Sequence, residues 1–215
     1  MSYLTLEAPR ALEIAIASMR HGGVVAFPTD TVYGLGASIA HEPALARIYD
    51  IKGRPGNKPL PILVAHAGEV AKVSDDADPD LLRLAAQFWP GPLTVVVSGR
   101  PDLPPEVLAP DGTIGVRVPD HSVALTIAQR NGGAIAVTSA NRSGQPPACT
   151  AEEIRDQLGA DVDVILDGGI APCGLPSTVI RREGDTISIL REGAIPTARI
   201  LDAWQSVLPA APDLA

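Results

Sequence analysis

Two cysteines, Cys149 and Cys173, are all that this 215-residue chain contains, and no CxxC pair occurs. That excludes a disulfide framework and argues against a structural zinc site. Histidine is scarce too: His21, His41, His66 and His121 are scattered without metal-ligand spacing, and surface or capping roles suffice for them. Aromatic residues amount to 3% of the chain, which leaves little for stacking nucleic-acid bases. No apolar run is long enough to cross a bilayer. The first residues carry acidic groups early and lack a basic start with an unbroken apolar segment, so a signal peptide is not expected. Together with the sparse cysteine this makes the cytoplasm the expected compartment. Both GxxxxGK[ST] and GxGxxG are missing, and Gly34-Leu-Gly36 is too short to count, so any nucleotide must be held without a P-loop or Rossmann turn. Positive charge is in deficit: 17 Lys and Arg face 25 Asp and Glu, for a net charge of −8. A broad basic surface for nucleic acid is excluded, and the cations that matter must be local.

What is there is a good core composition, with 46% hydrophobic residues. The 21 prolines and 20 glycines are spread along the whole chain and mark no linker. One domain over residues 1–208 with a frayed tail at 209–215 is the expected organisation. Leu12, Ile16 and Met19 predict an amphipathic helix over 8–20, and a second helix is expected over 42–51. Asp78-Pro79 starts a third helix, running to about Phe88, as N-cap and first-turn proline. Further helices are expected from Ser122, over a short stretch capped by a Thr150/Glu153 capping box, and over 197–207. Apolar runs at 24–27, 60–64, 93–97, 113–118, 135–138 and 164–166 read as strands, and 178–181 with 186–190 as a hairpin. Helices and strands alternate, but a hairpin needs antiparallel pairing. The expected fold class is α/β with α+β character: a twisted mixed sheet flanked by helices.

Two clusters of polar residues interrupt this pattern. The first follows the strand at 24–27: Thr29, Asp30, Thr31 and Tyr33. The second is Lys52-Gly-Arg54-Pro-Gly-Asn57-Lys58, three cations within seven residues broken up by Gly and Pro. Placed on a shaped loop, such cations suit a polyanion; the bland alternative is a solvated helix end. Ser139-x-Asn141 directly follows a buried strand, a place where sheet proteins present ligands, although Ser and Asn also simply favour turns. Ser177-Thr178 repeats the pattern of a tight turn with two hydroxyls before a strand. Arg117 lies within a strand between Val116 and Val118 and needs an anionic partner, either a structural carboxylate or a ligand's. Arg191 raises the same question at the end of the hairpin.

Taken in order, FPTDTVYGLG at 27–36, KGRPGNKPL at 52–60, WPGPLT at 89–94, GTIGVRVP at 112–119, TSANRSG at 138–144, PSTV at 176–179 and ILREGAI at 189–195 closely resemble the threonylcarbamoyl-adenylate synthase family, the YrdC-type proteins. The resemblance spans roughly residues 10–195, its paired KxR and SxN signatures are specific, and it points to the single-domain form with a YrdC-like fold. It implies that L-threonine, bicarbonate or CO2, and ATP give threonylcarbamoyl-AMP and pyrophosphate. The product would serve a separate transferase complex that modifies adenosine in tRNA. Lys52 and Arg54 are then the candidates for the catalytic triphosphate clamp. Asn57, Lys58, Ser139, Asn141, Ser177 and Arg191 join them on the nucleotide side. Thr29, Thr31, Tyr33, Arg117 and Thr138 are the candidates for the threonine pocket, with Arg117 on the carboxylate. Mg2+ is expected with ATP, held by phosphates and water, since no carboxylate cage is visible. Tight tRNA binding by the chain alone is not expected, nor any membrane contact. The rival readings are a nucleotide- or RNA-binding paralogue that makes no adenylate, and a carbamoyl-transferring enzyme with a related intermediate.

Overall fold

A computed structural model describes residues 1–207 apart from Pro55, Asn57 and Cys173. The tail expected at 209–215 therefore lies outside the described residues, as does Asn57. Ten strands form one mixed sheet: β1 (Ser2–Thr5), β2 (Val25–Phe27), β3 (Gly34–Ser38), β4 (Ile62–Val64), β5 (Leu93–Ser98), β6 (Thr113–Arg117), β7 (Ala134–Ser139), β8 (Val164–Asp167), β9 (Thr178–Glu183) and β10 (Thr186–Arg191). Their spatial order is β1-β8-β2-β3-β7-β4-β6-β5-β9-β10. Helices α1 (Ala11–Arg20), α2 (Glu42–Lys52), α3 (Pro79–Ala86), α4 (Ser122–Arg130), α5 (Ala151–Leu158) and α6 (Thr197–Val207) complete the frame.

The helices divide between the two faces because each carries one apolar stripe. Ala15, Ile16 and Met19 of α1 and Ala124 and Ile127 of α4 pack on Val25, Phe27, Leu63 and Val137. On the opposite face Leu45 and Ile48 of α2, Leu81 and Leu84 of α3, Ile154 of α5 and Ile200 and Trp204 of α6 cover Leu35, Ile62, Val95 and Ile180. The mixed sheet expected from the hairpin is present: β9 and β10 pair antiparallel, while β5 and β9 run parallel.

The boundaries differ from the sequence pattern where local chemistry intervenes. Helix α1 begins at Ala11, and Leu12 sits at the margin of its buried stripe. Helix α3 starts as expected, with the Asp78 carboxylate accepting from the amides of Asp80 and Leu81, but ends at Ala86 as the chain turns toward the cis Trp89–Pro90 bond. At α5 the Thr150 hydroxyl caps the Glu153 amide, whereas the Glu153 carboxylate reaches the amide of Cys149, one residue before the capping-box position. The strand expected at 60–64 narrows to Ile62–Val64. Strands β1 and β3 were not expected at all. β3 reads GLGAS and lacks the β-branched residues that usually mark a strand. Its glycines allow a close approach: a Cβ on Gly34 would lie 2.8 Å from Val137 Cγ1, and one on Gly36 3.0 Å from the Ala136 carbonyl.

Candidate active site

Five neighbouring strands of the sheet, β3, β7, β4, β6 and β5, together floor a cavity of about 140 Å³. They contribute Gly34, Val137 with Thr138 and Ser139, Leu63, Arg117 and Thr94, in that order across the sheet. The walls come from the turn after β2 (Thr29, Thr31, Val32, Tyr33), from Arg54 after α2, from Pro176 and Ser177 before β9, and from Arg191 at the end of β10. Three guanidinium groups thus meet around one small space whose described lining contains no Asp or Glu.

Each arginine is held in place by the chain. Arg54 donates to the carbonyls of Lys58 and Pro59, both at 3.1 Å. Arg191 donates to the Ser177 carbonyl at 2.8 Å and to the Ser177 hydroxyl at 3.1 Å. Arg117 donates through Nε to the Gly91 carbonyl at 2.9 Å, through Nη1 to the Thr31 hydroxyl at 3.0 Å and through Nη2 to Asp30. Its partner is therefore a structural carboxylate. Burial pushes the Arg191 guanidinium below its ordinary pKa, and the fields of Arg117 and Arg54 push further in the same direction. Burial likewise lowers Arg54. Cations that destabilise one another are stabilised by an anion arriving among them.

The other expected residues divide between lining and support. Lys52 does not line the cavity and does not sit on the loop: it is the last residue of α2, followed by Gly53 in the left-handed conformation (φ 58°). It is also not solvated, being 3% exposed. Its ammonium donates to the Ser139 carbonyl, to the Asn141 carbonyl at 2.6 Å and to the Asn141 side-chain oxygen at 3.3 Å. Burial, with Arg54 nearby, pulls its pKa down to about 7. Asn141 is equally committed, since its amide donates to the carbonyls of Arg142 and Gln145. Lys52 and Asn141 form the backing of the wall that Ser139 presents. Lys58 is exposed, and its backbone carbonyl anchors Arg54.

The threonine-side candidates also sort themselves. The Thr29 hydroxyl donates to the Val32 carbonyl at 2.6 Å, so across the 3.0 Å contact it accepts from Thr31. Thr31 in turn accepts from Arg117. Both hydroxyl protons are used within the turn. The Tyr33 hydroxyl donates to the Gly169 carbonyl and accepts from the Gly168 amide, tying this turn to the loop after β8. Among the described residues only Thr138 of this group has a hydroxyl without a protein partner, and it faces the cavity. Thr94 also lines the cavity but was not singled out from the sequence. Its signal was a hydroxyl inside the buried run Leu93–Val97.

The chain is an α/β protein whose strand-floored pocket gathers arginines and hydroxyls, on a mixed sheet covered by helices on both faces. The family model Sua5/YciO/YrdC, described as "Telomere recombination", matches residues 17–193, and the chain belongs to this family. Among its relatives is a Bacillus subtilis protein named threonylcarbamoyl-AMP synthase, 39% identical over 187 residues that make up 86% of this chain and 54% of that protein. The fold is similar to that of Pyrococcus abyssi Sua5 complexed with L-threonine (34% identity, TM-score 0.87, 94% of this chain and 60% of that one). It is similar also to E. coli YciO (31% identity, TM-score 0.82, 94% of this chain and 100% of that one). The chain thus spans about half the length of the curated relatives it first matches. The YrdC-like fold expected from the motifs is the fold observed.

Proposed function

We propose that this chain is an L-threonylcarbamoyladenylate synthase, a nucleotidyltransferase. The observation that carries the reading is the meeting of Arg54, Arg117 and Arg191 around a cavity with no acidic lining among the described residues. A space of about 140 Å³ is well below the range usual for drug-sized ligands. It suits an amino acid, with the nucleotide extending from the open side.

The threonine amine adds to CO2, forming a carbamate and releasing a proton. A carbamate oxygen then attacks the α-phosphorus of ATP, and the bond to the bridging oxygen of pyrophosphate breaks. No protein nucleophile is needed. What the site must provide is alignment of two substrates and charge stabilisation as pyrophosphate leaves. Arg117, oriented by Asp30 and Thr31, faces the threonine carboxylate. Thr138 reads the threonine hydroxyl, while Val32, Leu63 and Val137 take its methyl group. Arg54, Arg191, Ser139 and Ser177 serve the phosphates. Lys52 and Asn141 fix the Ser139 wall from behind, and Asn57 and Lys58 belong to the loop that carries Arg54.

The described residues hold no cluster of three metal-ligating side chains, and the lining offers no carboxylate. The residues do not fit a resident metal site, so Mg2+ enters with ATP as part of the substrate. The P. abyssi and B. subtilis relatives carry names that agree with this reaction. The product passes to a transferase acting on tRNA, in the cytoplasm. No helix among the described residues is long and apolar enough to cross a membrane. Pyrophosphate release tests the proposal: it requires threonine, bicarbonate and ATP together, and release that ignores threonine contradicts it.

A further inference from the structure

The hydroxyls of Thr94 and Ser177 lie 2.8 Å apart, both residues are buried to 7% exposure or less, and both line the cavity. Ser177 also accepts from Arg191. Two hydroxyls own two protons, and the bond between them uses one. No second acceptor for either hydroxyl exists among the described residues. Whichever direction the shared bond takes, one O–H remains to be donated, and the space open to it is the cavity with its three arginines.

Thr94 is held for this purpose from its other side. It sits within β5 beside β6, and a Cβ on Gly115 of β6 would lie 3.2 Å from the Thr94 methyl carbon. The bare glycine makes room for that methyl. A β-branched side chain is stiff about χ1, so seating the methyl over Gly115 fixes where the hydroxyl points. It points to Ser177. A sheet residue, a turn residue and an arginine from the last strand thereby act as one donor set.

We infer that Thr94 is a substrate-binding residue: the Thr94–Ser177 pair, polarised by Arg191, donates one hydrogen bond to a phosphoryl oxygen of the nucleotide. Ser177 accepts from Arg191, which the functional reading assigns to the phosphates, and this places the donor with the nucleotide. The inference rests on the adenylate-forming reading for the identity of the anion. Its geometry needs only that an anion binds there.

The test compares Thr94→Val, Thr94→Ser and Thr94→Ala, with Ser177→Ala alone and combined with Thr94→Val. Steady-state pyrophosphate release gives kcat and KM for ATP and for threonine separately, and thermal melting selects the variants that fold. Loss of one hydrogen bond to a charged group corresponds to about a 10- to 100-fold fall in kcat/KM for ATP. Each single variant keeps one hydroxyl proton free for the substrate, so the full fall is expected in the Thr94→Val/Ser177→Ala double variant, with the threonine KM within about twofold of wild type, and Thr94→Ser should lose least. The double variant should be clearly worse than Ser177→Ala alone, because only it removes the last donor. A double variant no worse than Ser177→Ala overturns the inference. So does a Thr94→Ser variant as poor as Thr94→Val, which would make the methyl packing responsible, or a change confined to the threonine KM. Calorimetric binding of inorganic pyrophosphate separates this inference from the functional reading. If the wild type makes no adenylate, the reading fails; equal pyrophosphate affinity in Ser177→Ala and the double variant then removes Thr94 as a donor as well.

Discussion

The ammonium of Lys52 donates to the Asn141 carbonyl at 2.6 Å and, by its backbone carbonyl, Lys52 accepts from the Ser143 amide at 2.7 Å. The end of α2 is thus stitched at two points to the turn that follows β7. The KxR and SxN signatures are two halves of one contact: the lysine of the first holds the asparagine of the second.

Lys52 gives the chain a specific pH dependence. Its pKa is lowered from 10.5 to about 7 on folding, so between these values the native chain binds fewer protons than the unfolded one. The contribution of Lys52 to stability therefore rises with pH across this window and is lost as pH falls toward 7. Urea unfolding of wild type and Lys52→Met at pH 7, 8 and 9 measures it. The difference in favour of wild type should grow with pH, by at most about 1.4 kcal/mol per unit. A difference that shrinks with pH contradicts the assignment.

Arg54→Ala and Arg191→Ala should each lower turnover by about 10²–10³, the usual cost of removing one charge-stabilising donor. Both side chains face the cavity, so their removal should leave the fold intact, as judged by circular dichroism and thermal melting. Near-normal rates in both would return Arg54 to the ordinary role of a helix-end cation.

Arg117→Lys keeps the charge but loses the planar fork that reaches Gly91, Thr31 and Asp30 at once. The KM for threonine should rise more than that for ATP. Asp30→Asn should move the same parameter, since Asp30 orients the guanidinium. Calorimetry in which threonine binds normally while ATP binding collapses would place Arg117 with the phosphates.

Threonine should be preferred over valine strongly and over serine by about 10–200-fold, because serine lacks only one methyl group. With the protons of Thr29 and Thr31 committed internally, Thr138→Val should remove most of the discrimination against valine. Pyrophosphate release with each amino acid, in wild type and variant, measures this. Unchanged selectivity in Thr138→Val would require another reader of the hydroxyl.

The chain alone should bind tRNA only weakly and in a salt-sensitive manner. Its net charge is −8, and counterion release by clustered cations is the main source of nucleic-acid affinity. Filter binding at physiological salt should find no submicromolar, sequence-selective complex. Such a complex, persisting in ATP, would favour the RNA-binding alternative.

Most helices and the buried strands were legible in the sequence, because their apolar spacing and caps are local signals. Strand β3 was not, since close approach to Val137 selected glycine over the residues that usually announce a strand. The lining was legible where side chains stand in polar clusters, as with Arg54, Ser139 and Ser177. Their connections were not, being set by neighbours far apart in the chain. Nothing local shows that Asp30 meets Arg117, or that Lys52 turns inward to Asn141. Thr94 was hidden for the opposite reason: a single hydroxyl in a strand reads as an ordinary β-former until the cavity beside it is seen.

Adenylate formation is tested most directly by following both labels into one product. With [14C]bicarbonate and [α-32P]ATP, the wild-type chain should convert threonine into a single compound carrying both labels, in equal amount to the pyrophosphate released, and none should form without threonine. Pyrophosphate released with no doubly labelled product, or a 32P-labelled product that forms without bicarbonate, would contradict the proposed reaction.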